Sequence, residues 1–232
     1  MGRYLVTNAQ FALFIAAGGY EEPGRHWWSN EGWEWRQKGQ RRWSDRVTNQ
    51  SEYWDDSRFG KSRRGYPVVG ISWYEANAYC AWLTELLLRR HRAEKELEPA
   101  CHDLIAGLPE DATEVRLPTE EEWVAAAGGE EGELYPWGPE WGESRANTSE
   151  GRIGGTTPVG MYPSGQGHGV WDMAGNVWEW MASEGDVKPL RGGSWRDDPE
   201  VARVGARFGF DPDCSDLDVG LRVVGSPASS GS

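Results

Sequence analysis

Apolar residues recur at helical spacing in three segments, and each segment begins with the same polar pattern. A Ser or Thr stands three residues before a Glu or Gln, which is the spacing of an N-terminal capping box. The pairs are Thr7 with Gln10, Ser72 with Glu75, and Thr119 with Glu122. The pattern predicts a first helix that stops at Gly18-Gly19, a second from about Trp73 towards Arg90, and a brief third before Gly128-Gly129.

Short alternating segments lie between and after these helices. Trp178 and Trp180 flank Glu179 with period two, as in a strand with one buried face. Short helices packed against many short strands predict an α+β domain, not a doubly wound sheet. No composition break divides the chain, so one domain over residues 1–224 is expected, followed by a flexible, linker-like tail at 225–232.

Two other segments are less regular. Residues 26–66 are rich in Trp and Arg, which stack well on each other; they could form a groove for a sugar or a cationic ligand, or a packed cover over the core. Residues 94–113 are polar and interrupted by two prolines, as in a loop or a short extra helix. Each segment therefore leaves two interpretations open.

Composition excludes several classes of partner. The formal net charge of -13 argues against nucleic-acid backbones and anionic membrane surfaces. No apolar run is long enough to span a membrane and no signal peptide precedes Arg3, so a cytoplasmic location is the default expectation. Three cysteines, far apart in sequence, do not form a disulfide framework.

A series of motifs extends from Gly2 to Val224. In order they read MGRYLVTNAQF, YPVVGISWYEANAYCAWL, RLPTEEEWVAAAGG, YPWG, TTPVGMYPSG, GVWDMAGNVWEW, RGGSW and VGLRVV. Together they resemble the formylglycine-generating-enzyme (sulfatase-modifying-factor) family. This resemblance implies a variant of the C-type lectin fold, with short helices around small twisted antiparallel sheets and much irregular loop. Because that scaffold serves both enzymes and binding proteins, the fold alone does not decide the function.

The same resemblance implies structural calcium in the turn-rich part of the chain. One site would use Asn147 and the Thr148 carbonyl, with Glu150 as a further candidate. The second would use Asp172, Glu179 and the carbonyls of Gly175 and Val177. The residues suit a hard cation, because Ca²⁺ takes carboxylate, amide and carbonyl oxygens.

Enzymatic members of the family require soft or nitrogen ligands that this chain lacks at the matching places. The oxidase members use two cysteines just after the RGGSW motif to bind copper(I), and no cysteine lies between Trp195 and Arg207. The sulfoxide synthases use three histidines around iron, whereas the four histidines here are scattered. We therefore expect no redox cofactor and no catalytic residues.

Residues 196–218 read RDDPEVARVGARFGFDPDCSDLD. Several of these side chains have no evident role in holding a fold together. Aromatic residues clustered with acids are typical of a recognition surface; the alternative is that the phenylalanines point inward while the aspartates cap turns. Segment 191–224 also resembles the variable region of proteins diversified by diversity-generating retroelements. The predicted ligand-binding residues are Arg196, Asp197, Asp198, Glu200, Phe208, Phe210, Asp211, Cys214, Ser215, Leu217 and Asp218.

These observations predict a non-enzymatic protein that binds an unidentified protein or other macromolecule through its C-terminal surface. Phe208, Phe210 and Leu217 would be apolar anchors, and the charged residues would supply selectivity. The alternatives are a formylglycine-generating or related oxidoreductase that uses other residues, and an accessory module fused to further domains.

Overall fold

The computed structural model describes residues 1–39, 48–92, 99–129, 132–163 and 169–227, apart from the side chains of 102 and 103. Five α-helices lie in these ranges: α1 (Asn8–Ala16), α2 (Asn30–Lys38), α3 (Trp73–His91), α4 (Pro99–Ala106) and α5 (Glu120–Ala126). All three predicted capping boxes are confirmed, with both reciprocal hydrogen bonds present in α1, α3 and α5. Local polar chemistry therefore sets where these helices begin.

Helices α2 and α4 resolve the two ambiguous segments. In the Trp-rich segment, Trp28, Trp33, Trp35 and Trp54 are each 7% exposed or less, which confirms the packed cover. Trp43 lies outside the described residues. Helix α2 begins after the N-cap Ser29 and ends at Gly39, which has the left-handed φ of 65° that favours glycine. Helix α4 is the short extra helix that was one alternative for residues 94–113.

Six short strands form two sheets in the described part of the chain. They are β1 (Glu114–Arg116), β2 (Trp178–Trp180), β3 (Lys188–Arg191), β4 (Phe208–Phe210), β5 (Val219–Gly220) and β6 (Val224–Ser226). Strands β1 and β6 pair antiparallel, and the larger sheet has the order β4-β3-β2-β5. Its β2–β5 pair is parallel, unlike the predicted antiparallel sheets, because the chain crosses from one edge to the other between β4 and β5.

The C-terminal boundary differs from the prediction. Gly225 and Ser226, expected in the flexible tail, pair with Val115 and Glu114 of β1. The ladder continues past the VGLRVV motif because β1 offers backbone partners there. Residues 228–232 lie outside the described residues.

Strand β2 is buried on both faces, whereas alternation suggested one. Trp178 and Trp180 belong to an aromatic core with α1 and α3, including the stacked Phe11 and Tyr79 rings at 5.4 Å. Glu179 points to the other side and is 0% exposed. A second core around Trp123 lies there, so β2 is the central element between two apolar layers.

No helix in the described ranges combines the length and the apolar character needed to cross a bilayer.

Candidate ligand-binding surface

The predicted binding segment alternates between fixed and outward-facing residues. Arg196, Asp198, Glu200, Phe208 and Asp211 are exposed, whereas Asp197 and Phe210 are partly exposed. Between them the chain is held by a 3-10 helix at Pro199–Ala202 and by β4, and Ala202 and Val204 are buried. The surface is therefore displayed on a backbone that the core holds in place.

Three predicted contact residues are inaccessible in the structure. Cys214, Ser215 and Asp218 are 5%, 3% and 8% exposed. Leu217 is partly buried and packs against a small core that contains Leu5, so it is a weaker candidate anchor than expected. These residues fasten the segment to the domain instead of presenting themselves to a ligand.

One polar group of the segment forms around Ser194. The hydroxyl of this buried residue lies 2.6 Å from Asp197 Oδ2 and 2.9 Å from Asp218 Oδ2. Burial raises the pKa of Asp218 to about 6; the Ser194 hydrogen bond opposes the shift and the charge of Asp216 adds to it. Arg196 Nη1 lies 3.5 Å from Asp216 Oδ1, at the outer rim of this group.

An aromatic group forms at the edge of the larger sheet. The Phe208 ring lies 5.2 Å from Phe210 and 5.8 Å from Trp178, and Phe208 remains 50% exposed. Phe210 contacts Trp180 at 6.5 Å, so the inner phenylalanine anchors the strand while the outer one is displayed. Within the described residues no hydrogen bond, ion pair or ring contact joins this group to the Ser194 group.

The residues predicted to hold calcium do come together. Asn147 and Gly175 form a parallel bridge, and the Asn176 amide donates to the Asn147 carbonyl at 2.8 Å. Gly175 has a φ of 69°, and Asp172 and Asn176 also have positive φ values. The tight turn of this motif thus places both predicted sites side by side.

At the second predicted site the carboxylates already have donors. Both Glu179 oxygens accept hydrogen bonds from the Arg222 guanidinium, at 3.0 and 2.9 Å, and Trp123 Nε1 donates to Glu179 Oε2 at 3.0 Å. Asp172 accepts from the backbone amides of Gly160 and Tyr162 at 2.5 and 3.1 Å. A guanidinium beside Glu179 does not fit a cation in the same place.

At the first predicted site one acceptor is left over. Asn147 Nδ2 donates to the Gly155 carbonyl and to Asn176 Oδ1, and the buried Asn147 Oδ1 has no hydrogen-bond partner among the described residues. The Thr148 carbonyl accepts from the Gly151 amide, and the Glu150 carboxylate from Trp141 Nε1. Calcium at Asn147 and Thr148 therefore stays a prediction with one suitable oxygen in place.

The three thiols lie in separate parts of the fold. Cys80 is buried on α3, where burial raises the pKa of its thiol, Cys101 is on α4, and Cys214 is buried beyond β4. In the part of the chain that the structure describes, no three His, Cys, Asp or Glu side chains are placed to share a metal ion. His168 is one of the residues outside that part.

Sequence reasoning missed an acidic groove next to the aromatic group at the edge of the larger sheet, which is called the aromatic edge below. Glu184 and Asp186, in the loop between β2 and β3, line it together with Asp211 and with Trp35 of α2. The acidic run SEGDV, which follows the predicted strand around Glu179, was the available signal. No sequence signal indicated that α2 also lines the groove, because α2 and this loop are far apart along the chain.

The comparisons with known proteins agree with this architecture. Residues 1–227 match the family model described as the sulfatase-modifying factor enzyme 1-like domain. The chain belongs to this family.

The relatives of this chain include proteins named as inactive and proteins named as enzymes. The chain is 34% identical over 180 residues to the inactive C-alpha-formylglycine-generating enzyme 2 of Bos taurus, covering 68% of this chain and 50% of that protein. It is 29% identical to the hercynine oxygenase of Mycobacterium tuberculosis, covering 97% of this chain and 52% of that one. The chain thus spans about half the length of these curated relatives.

Solved structures give the same fold. The Treponema denticola variable protein 1 superposes with a TM-score of 0.57 at 22% identity, covering 76% of this chain and 77% of that one. PvdO from Pseudomonas aeruginosa superposes with a TM-score of 0.59 at 20% identity, covering 95% and 77%. The predicted α+β fold of the formylglycine-generating-enzyme type is confirmed.

Proposed function

We propose that this domain is a non-catalytic binding module that displays segment 191–224 to a protein or other macromolecular partner. The observation that carries the proposal is the alternation within that segment. Exposed charged and aromatic side chains are separated by buried residues that fix the backbone. Such an arrangement lets outward residues change with little effect on the fold, because surface substitutions usually alter stability by less than about 0.5 kcal/mol each.

The family context supports this role in two ways. The fold is similar to that of a variable protein. The relative to which this chain is 34% identical is named as inactive. In addition, residues 196–206, where the oxidase members carry their cysteine pair, contain no cysteine. We propose that the outward positions are diversified by a retroelement.

The binding role is tested with a five-position variant, R196A/D198A/E200A/F208A/D211A. Peptides are selected from a random phage-displayed library on the unaltered domain, and their affinities for both proteins are measured by fluorescence anisotropy. We expect the variant to keep its fold by circular dichroism and to lose at least about tenfold in affinity. Selected peptides that bind the folded variant as tightly as the original domain would overturn the assignment.

Diversification has its own test, which needs only DNA sequence from around the gene. We expect a repeat nearly identical to the segment encoding residues 191–224, differing at adenines, beside a reverse-transcriptase gene. Absence of such a repeat would overturn the proposed diversification, whereas the proposed binding surface would stand.

The oxidoreductase alternative has the support of enzymes among the relatives, including the formylglycine-generating enzyme of Streptomyces coelicolor at 29% identity over 94% of this chain. It is tested by oxygen consumption with a thiol peptide in the presence of copper or iron. Turnover that disappears in Cys214→Ser would replace the binding proposal with this one.

A further inference from the structure

A groove of about 500 Å³ lies beside the aromatic edge, between α2, the start of α3 and the loop joining β2 to β3. Its volume falls in the roughly 300–1,000 Å³ range of ligand pockets. Trp35 and Tyr74 contribute aromatic surface to it. Its carboxylates come from three parts of the chain, namely Glu31, Glu34, Glu184, Asp186, Asp211 and Asp213.

Much of this negative charge is left without an internal partner. The carboxylates of Glu184, Asp186 and Asp211 make no hydrogen bond or ion pair in the part of the chain that the structure describes. Lys188 does not neutralise them, because its ammonium lies over the Trp73 ring at 4.0 Å and donates to the Ser183 carbonyl at 3.2 Å. The groove is therefore suited to a cation from outside.

Other acids at the groove are engaged. Glu34 pairs with Lys38 at 3.6 Å, and Glu31 accepts a hydrogen bond from the Tyr74 hydroxyl at 2.7 Å. This hydrogen bond holds the Tyr74 side chain in place at the groove. Aromatic faces beside carboxylates bind the ammonium or guanidinium of a side chain well, because cation–π attraction adds to charge attraction.

An apolar patch adjoins the groove at the sheet edge. Phe208 is 50% exposed, and it shares one face of β4 with the partly exposed Phe210, the two ring centroids lying 5.2 Å apart. A Cβ at Gly209 would point to the opposite face of β4 and lie 2.7 Å from Val187, so Val187 is not part of this patch. Phe210 pairs in register with Lys188, which lines the groove, and this links the patch to the acidic walls.

Building on the proposed binding role, we infer that the groove and patch together dock a basic segment of a protein partner. A Lys or Arg side chain enters the acidic groove, and a neighbouring apolar side chain packs on Phe208. Charge complementarity argues for this occupant, since the unpaired carboxylates attract cations and repel acidic chains and nucleic acids. The interface thereby extends beyond segment 191–224 to α2 and to the β2–β3 loop.

The experiment uses the peptides selected on the whole domain and measures their affinity by fluorescence anisotropy at low and high salt. We expect the selected peptides to be enriched in Lys or Arg next to an apolar residue. Affinity should fall about tenfold in E184Q/D186N and in F208S, and it should weaken as salt screens the charges. D111N and I153S are matched controls, because Asp111 is exposed and Ile153 is 50% exposed away from the groove.

The outcomes separate this inference from the binding role itself. Peptides without basic residues that lose affinity in R196A/D198A/E200A, but not in E184Q/D186N, would overturn the groove while the binding role stands. Failure to select any peptide, or selection of peptides that neither set of variants weakens, would overturn both. Displacement of the peptides by spermine, with spermine binding that does not depend on Phe208, would assign the groove to a free polyamine and overturn the protein partner.

Discussion

The carboxylates at the centre and at the edge of the larger sheet have opposite environments. On β2, Glu179 is fully buried and both of its oxygens accept hydrogen bonds from Arg222. Beside β3 and β4, Asp186 and Asp211 are exposed and make no ion pair within the described residues. Full internal pairing is a feature of the scaffold, whereas unneutralised charge at the surface is available to a partner.

Removing the buried guanidinium should have the largest effect. Arg222→Met leaves the Glu179 carboxylate buried without its main partner, so we expect the free energy of unfolding to fall by about 3–5 kcal/mol. Arg222 also donates to the carbonyls of Gly2, Arg3 and Trp171, which are lost as well. Urea denaturation measures the change.

The double variant E179Q/R222M is the control for this prediction. It removes the unpaired charge, so it should recover part of the lost stability. A double variant less stable than Arg222→Met would contradict the ion-pair explanation.

The tight turn before β2 should come next. In Gly175→Ala a Cβ would lie 2.2 Å from the Asn147 carbonyl oxygen, at a φ of 69°, and we expect a loss of about 2–3 kcal/mol. Gly154→Ala is the matched control, with a φ of 75° and open space around the added methyl. It should cost only about 1 kcal/mol in the same denaturation experiment. Equal losses would show that backbone strain alone decides both.

The carboxyl group of Asp218 makes the stability of the fold depend on pH. Its pKa is raised to about 6 in the folded protein, so the folded state binds more protons than the unfolded state between about pH 4 and pH 6. The free energy of unfolding therefore falls as pH rises through this window. Asp218→Asn should be more stable than the original by about 2–3 kcal/mol at pH 7 and equal to it below pH 4. A constant difference across this range would contradict the raised pKa.

Calcium should have the smallest effect. Because a guanidinium lies beside Glu179, we expect the second predicted site to contribute less than about 1 °C to any change in melting temperature on adding Ca²⁺ or EDTA, which corresponds to a fraction of a kcal/mol. Differential scanning calorimetry measures it. A larger increase that disappears in Asn147→Ala would instead place an ion at the first predicted site.

Much of the scaffold was predictable from local sequence. The capping boxes located the starts of α1, α3 and α5, since a hydroxyl and a carboxylate or amide three residues apart satisfy backbone amides without distant help. The ordered motifs predicted the family, which the match over residues 1–227 confirms. Exposure of Phe208 was also predicted, from its setting among glycines and acids.

Tertiary structure decided which neighbours in the binding segment face outward. Leu217 and Phe208 are both apolar residues of this polar segment, yet Leu217 packs against the small core that contains Leu5 and Phe208 remains half exposed. The groove likewise depends on α2 meeting a loop about 150 residues later in the chain. Side-chain chemistry and spacing determine where local elements begin. Burial and partner choice depend on contacts between distant segments, which spacing along the chain does not encode.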